Sequence, residues 1–231
     1  MDWKDFWDNY RNIDGEVIPN RYSQVGKTVN KQPISKEVFN AMINDIALNL
    51  DLQEDDELME LCCGNGLLTE PLSRCVNKIF AFDFTEKLIN VAKECNQFDN
   101  IVYEVGDAKD DLTSIFSRNI TQSKFLMNDS LGYFTIEELT RIINQVRKDN
   151  FLFYLTGVPS DALKWNFYNN EERKKAYLEE EMNGNAIFDG IGRWWKSDEL
   201  LEIASLLGLK ISIFRQPLKI SSFRINVLFS S

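Results

Sequence analysis

Residues Leu58–Thr69 read LMELCCGNGLLT. An apolar pair, Leu58-Met59, runs into an acid, Glu60. Leu61-Cys62-Cys63 and Gly64-Asn65-Gly66 follow, and a helical pattern begins at Leu67. This is the order of a buried strand, a tight turn and the start of a helix. Glycines suit such a turn because they tolerate positive φ and let a ligand approach the backbone closely. About seventeen residues after Gly66 a second apolar strand, Lys78–Phe82, ends in Asp83. An acid there is placed to hold the hydroxyls of a ribose. The reading is a nucleoside-containing cofactor lying across the C-terminal edge of a parallel sheet.

The neighbouring sequence keeps the same rhythm. Thr85 opens a helix over 86–96, and Ile101–Val105 reads as a third strand closed by Gly106-Asp107-Ala108. Phe125–Asn128 is a fourth strand with the exit loop Asp129–Phe134, followed by a helix over 135–148 and a fifth, nearly continuous apolar strand, Phe151–Thr156. Alternation of strand and helix at this spacing gives a parallel sheet with right-handed crossovers. Upstream, Ser35 stands as the N-cap of a helix whose stripe is Val38, Phe39, Met42, Ile43, Ile46, Ala47 and Leu50. Pro71 restricts the helix over 66–76 to a late start or a bend. Downstream, a helix over 198–207 ends at Gly208, and segments 211–214 and 224–229 read as an antiparallel hairpin.

The glycine turn is not the dinucleotide fingerprint, since Thr69 stands where a third glycine is needed for close helix packing. Glu60-Leu61-Cys62-Cys63-Gly64-Asn65-Gly66 instead resembles the first motif of the class I S-adenosylmethionine-dependent methyltransferases, an acid and an apolar residue before GxGxG, with Cys62 replacing the first glycine. The resemblance implies an α/β, Rossmann-like fold: a mostly parallel seven-stranded sheet, helices on both faces, and an antiparallel last strand. It implies S-adenosyl-L-methionine as cofactor and S-adenosyl-L-homocysteine as product. The cofactor contacts it implies are Glu60, Cys62, Gly64, Asn65, Gly66, Asp83, Phe84, Asp107, Ala108 and Asn128. Asp83 takes the ribose and Asp107 the adenine amine. Asp129 and Tyr133 become the catalytic candidates, because in this family the fourth strand's exit lines the transferring methyl. A nicotinamide-dependent oxidoreductase and a non-catalytic relative that keeps or loses the cofactor stay open as alternatives.

Two segments stand outside the regular alternation. Before residue 35, Trp3, Phe6, Trp7 and Tyr10 recur at helical spacing, and Arg21–Thr28 reads as a loop. A Tyr-x-x-Val-Gly element here resembles the N-terminal segment that folds over the cofactor in small-molecule methyltransferases, which adds Tyr22 to the cofactor contacts and Gln24 and Lys27 as further candidates. Residues 157–196 concentrate aromatic and basic side chains between the fifth strand and the last helix. The expectation is one domain over 1–231 with an N-terminal cap, 1–34, and a substrate lid, 157–196. Trp165, Tyr168, Arg193, Trp194 and Trp195 are the expected acceptor contacts.

Composition bounds the chemistry. With 36 acidic and 26 basic residues the formal charge is −10, which disfavours a surface built for nucleic-acid phosphates. No stretch has the length and apolarity of a membrane span, and MDWKDFWDNYRN lacks a signal-peptide core, so a cytoplasmic location is expected. The spacing of Cys62, Cys63, Cys75 and Cys95 matches neither a zinc site nor a disulfide scaffold. The chain contains no histidine, which excludes histidine-based nucleophilic triads and histidine-ligated metals. The expected partner is a small-molecule acceptor, an oxygen or nitrogen of a metabolite, with a sugar or an anionic compound as specific candidates. No metal, nucleic acid or membrane partner is expected.

Overall fold

The computed structural model describes residues 3, 6, 7, 20–29, 32–115, 122–183, 190–217 and 220–231. Seven strands form one sheet: β1 (Glu57–Leu61), β2 (Lys78–Asp83), β3 (Ile101–Val105), β4 (Lys124–Asn128), β5 (Leu152–Pro159), β6 (Lys210–Arg215) and β7 (Arg224–Ser230). Their order is β3-β2-β1-β4-β5-β7-β6. The first five run parallel, whereas β7 pairs antiparallel with both β5 and β6.

The strands are apolar on both faces because both faces are covered. Met59, Leu61, Phe80, Phe82, Phe125, Met127, Phe153 and Leu155 point into one core, while the intervening Leu58, Ile79, Ala81, Leu126 and Tyr154 point into the other. This is the period-two alternation of a strand, filled with hydrophobes on each side. Helices α1 (Lys36–Asn49) and α2 (Glu86–Cys95) supply Phe39, Ile46, Ile89 and Ala92 to the second core. Helices α3 (Ile136–Val146) and α5 (Ser197–Leu207) supply Leu139, Ile142, Ile143, Leu200 and Ile203 to the first. Between them in sequence lies α4 (Glu171–Met182), whose buried residue is Tyr177.

Helix ends follow local chemistry. Ser35 accepts from the Val38 amide, and Thr135 and Glu138 form a reciprocal capping box at the start of α3. Gly208 closes α5 in the left-handed conformation at φ 67°. After the glycine turn the helix is short: one turn over Thr69–Leu72 passes into a 3₁₀ turn over Ser73–Cys75. Pro71 lies in that first turn, where its missing N–H costs little. Arg21–Gln24 is one helical turn rather than the expected loop, capped by the Asn20 side chain on the Tyr22 amide. Tyr10 lies outside the described residues, as does Phe188, one of the aromatic residues of the 157–196 segment; Trp3, Phe6 and Trp7 are helical.

Candidate functional site

β1, β2 and β4 end together at one edge of the sheet, and a cleft opens over that edge. It encloses about 940 Å³, its open mouth included, and is lined by Glu60, Cys62, Gly64, Asp83, Phe84, Asp107, Asn128, Asp129 and Tyr133 among the expected residues. Such an edge is where an open α/β sheet accepts its ligand, because the loops diverge there.

The glycine turn builds one wall. Cys62, Gly64 and Gly66 all adopt positive φ (58°, 57° and 73°), the conformation that glycine takes freely and cysteine adopts at a cost. Cys63 N donates to Phe82 O at 3.0 Å and Gly66 N to Cys63 O at 3.1 Å, so the turn is tied to the neighbouring strand. Asp83 then locks it from the side: its Oδ2 accepts the Gly64 amide at 3.0 Å and its Oδ1 the Thr85 amide at 2.9 Å. Burial raises the Asp83 carboxyl above its ordinary value, and the Thr85 and Gly64 amides oppose that rise.

Glu60 lies under the same wall. Its carboxyl is buried and pushed up to about 7 by desolvation, with Thr69 and Lys27 pulling in the other direction. Its Oε2 has no hydrogen-bond partner among the described residues. An acceptor left in this state beside an open cleft is suited to a cationic or donor group of a ligand.

The opposite wall is the exit of β4. Asp129 adopts φ 53°, and both of its oxygens are engaged, Oδ2 by Lys27 Nζ and Oδ1 by an Arg224 guanidinium nitrogen. Lys27 Nζ also donates to Asn128 Oδ1, whose amide nitrogen donates to Thr156. Arg224 reaches the site from the first residue of β7 and donates as well to Gly157 O at 3.0 Å. Gly157 marks the irregularity in β5, at φ 68°, and a Cβ there would overlap the Asp129 carboxylate. The sequence offers Lys27 only as a further candidate and carries no local signal for Arg224. Burial lowers the Lys27 amine below the ordinary lysine value. Its two cationic neighbours hold the Asp129 carboxyl low against the opposing effect of burial.

Several expected contacts lie elsewhere. Asn65 is fully buried, donating to Arg21 O at 3.0 Å and Gln24 Oε1 at 2.7 Å, so it pins residues 21–24 onto the turn. Gly66 faces Tyr103 and Ala92. Ala108 is in the core, and Tyr22 packs edge-on to Phe39 with ring centroids 5.1 Å apart. None of these four lines the cleft.

The structure does not bring the expected acceptor wall to the cleft. Trp195 is wholly buried, donates through Nε1 to Leu131 O at 3.0 Å, and has the Arg193 guanidinium 4.7 Å from its ring centroid. Arg193 itself pairs with Glu199 at 2.7 Å. Trp165, Tyr168 and Trp194 join Phe167, Tyr177 and Phe223 in an aromatic cluster with centroid separations of 4.5–6.3 Å. Among the described residues of the 157–196 segment, these aromatic side chains therefore build a local core. The aromatic rim of the cleft comes instead from Trp3 and Trp7, which pack on Tyr133 at 4.4 and 6.0 Å. The Tyr133 hydroxyl donates to Gly190 O at 3.2 Å. Among the described residues there is no cluster suited to a metal ion.

Comparison with known proteins agrees with this architecture. Residues 58–148 match a family model described as a methyltransferase domain. The tRNA/tmRNA (uracil-C(5))-methyltransferase of Pseudomonas aeruginosa is 34% identical over 95 residues, covering 41% of this chain and 19% of that protein. The chain thus spans about a fifth of the length of that curated relative. A crystal structure of magnesium protoporphyrin IX methyltransferase from Synechocystis PCC 6803, with bound SAH, aligns over 99% of this chain and 98% of its own at a TM-score of 0.63 and 16% identity. Geranyl diphosphate methyltransferase in complex with GPP and sinefungin aligns over 83% and 77% at a TM-score of 0.58 and 11% identity. The glycine turn, the strand-end acid Asp83 and the strand order fit these matches: over residues 58–148 the chain is similar to the methyltransferase domain, and its fold is the Rossmann-like one of the solved methyltransferases.

Proposed function

We propose that the chain binds S-adenosylmethionine in this cleft and directs its methyl group to an oxygen or nitrogen of a small-molecule acceptor. The observation that carries the reading is Asp83, a buried carboxylate braced by two backbone amides at the tip of β2 and lining the cleft beside the glycine turn. Its oxygens keep acceptor capacity for ribose hydroxyls, since each can take more than one hydrogen bond. The unpartnered Glu60 Oε2 suits the ammonium of an amino-acid moiety. Asp107, in the lining at the end of β3, suits an exocyclic amine, and Phe84 supplies an apolar surface for a base.

When bound, the cofactor supplies an electrophilic methyl on a sulfonium. The protein's task is then alignment, which can lower a barrier by several kcal/mol without a metal. Asn128, Asp129 and Ser130 border the place where an acceptor meets the methyl, with Trp3, Trp7 and Tyr133 above them. This aromatic rim and the net charge of −10 support a small acceptor. An RNA acceptor is the second reading, favoured by the partial matches to RNA-modifying enzymes. Calorimetry with S-adenosylmethionine, S-adenosylhomocysteine and NADH tests the cofactor. Binding of the first two without NADH is expected, and binding of NADH alone returns the chain to the oxidoreductase reading. Release of S-adenosylhomocysteine with a metabolite extract, but not with total RNA, is the expected outcome for the acceptor; the reverse would favour RNA.

A further inference from the structure

The exit of β4 holds a lysine in unusual surroundings. Lys27 comes from the segment before the sheet, is 7% exposed, and lines the cleft next to Asn128 and Asp129. The charged groups that face it come from three strands: Asp129 after β4, Arg224 on β7 and Glu60 on β1. Two of the three hydrogen-bonding positions on its nitrogen are directed to Asn128 Oδ1 and Asp129 Oδ2. The third remains for a ligand, as a donor when the amine is protonated and as a lone pair when it is not.

We infer that Lys27 is the catalytic base for a hydroxyl acceptor, with Arg224 and Asp129 setting its proton affinity. This rests on the methyl-transfer reading. The other candidates at the β4 exit are committed elsewhere. Both Asp129 oxygens are in ion pairs, and the Tyr133 hydroxyl donates to Gly190 O. Glu60 lies beside Thr69 on the glycine-turn side. Arg224 has two effects on the lysine: it neutralises Asp129, the carboxylate hydrogen-bonded to Lys27, and it repels the ammonium directly. In the step itself the acceptor oxygen forms its bond to the methyl carbon as the sulfur–methyl bond breaks. The broken bond's electron pair stays on sulfur, giving a neutral thioether. The acceptor's O–H bond breaks with its electrons kept by oxygen, and the proton passes to Lys27 Nζ. Charge balances, since the positive charge lost at sulfur appears on the lysine.

A lysine serving only as an ion-pair latch gains proton affinity from its carboxylate, whereas one serving as a base must have lost it. Titration of the full chain labelled with ¹³C at the lysine ε-carbon separates these roles without an acceptor, with Lys27→Arg used to assign the resonance. Lys27 is expected to titrate below the exposed lysines, and Arg224→Met to move its midpoint upward. A midpoint at or above the exposed lysines overturns the inference, as does an Arg224→Met shift of zero or downward; should that variant not fold, the parent titration alone decides. Calorimetry with S-adenosylhomocysteine is run on the same samples. Absence of binding overturns the methyl-transfer reading and the inference with it. Binding accompanied by an ordinary Lys27 overturns the inference alone.

Discussion

Lys27 and Asp129 form an ion pair across 102 residues of sequence, joining the segment before the sheet to the exit of its central strand β4. Arg224 takes the other Asp129 oxygen, so one carboxylate ties the N-terminal segment, β4 and the last strand together. Asp129→Asn removes the charge shared by two cations that are largely out of water. The variant is expected to lose roughly 2–3 kcal/mol of stability, the order for breaking charged hydrogen bonds in a partly buried pair. Denaturant unfolding measures it, and a loss below about 0.5 kcal/mol would mean that solvent already screens the pair.

The same group sets an acid-side dependence. The folded-state pKa of Asp129 is lowered, so its contribution is present above the unfolded carboxyl value and is lost as pH falls through the folded one. Glu60 acts with the opposite sign. Its folded pKa of about 7 lies above the unfolded value, so its contribution is full below about 4.5 and is lost as pH rises through about 7. Glu60→Gln is expected to flatten the stability profile between about pH 4.5 and 7 and to be the more stable form at pH 8, by roughly 2–4 kcal/mol. Chemical denaturation at a series of pH values gives the answer. An unchanged slope in the variant would show that Glu60 ionises normally.

Gly66 is held to glycine by packing as well as by conformation. Its φ is 73°, and an added Cβ would overlap the Tyr103 hydroxyl, which donates to Asn96 O at 2.9 Å, and would lie 3.1 Å from Ala92. Gly66→Ala is expected to cost about 2–4 kcal/mol from overpacking and backbone strain. Thermal unfolding checks this, and a melting temperature within about 2 °C of the parent would contradict it.

Local motifs carry the glycine-turn side of the cleft in the sequence. Glu60, Gly64 and Asp83 lie within one strand-turn-helix-strand unit, so spacing alone places them together. The β4-exit side is not legible in the same way. Arg224 reaches Asp129 only because β7 inserts between β5 and β6, a pairing that no short-range pattern announces. For residues 157–196 composition does not decide: aromatic clusters look the same in sequence whether they wall a ligand or fill a local core. Trp195 and the Trp194–Phe223 contact belong to the second kind.

That distinction gives a direct test on Arg193 and Trp195. Trp195→Ala empties a wholly buried site and is expected to cost about 3–5 kcal/mol. Arg193→Ala loses the Glu199 pair and the stacking on Trp195, at about 1 kcal/mol, and leaves S-adenosylhomocysteine affinity unchanged. Calorimetry and thermal unfolding on the two variants separate packing from ligand contact. A cofactor affinity loss of tenfold or more in Arg193→Ala at parent-like stability would return this arm to the site.

The central claim, that the cleft at the ends of β1 and β2 holds S-adenosylmethionine through Asp83, is tested most directly by calorimetric titration of S-adenosylhomocysteine into the parent chain and into Asp83→Asn. The substitution keeps one side-chain oxygen and nearly the same volume, so the Gly64 and Thr85 contacts can be retained in part. The account predicts saturable one-to-one binding to the parent and a loss of about 2 kcal/mol, close to thirtyfold, in the folded variant. Equal affinity in the two proteins, or no binding to the parent, would contradict it.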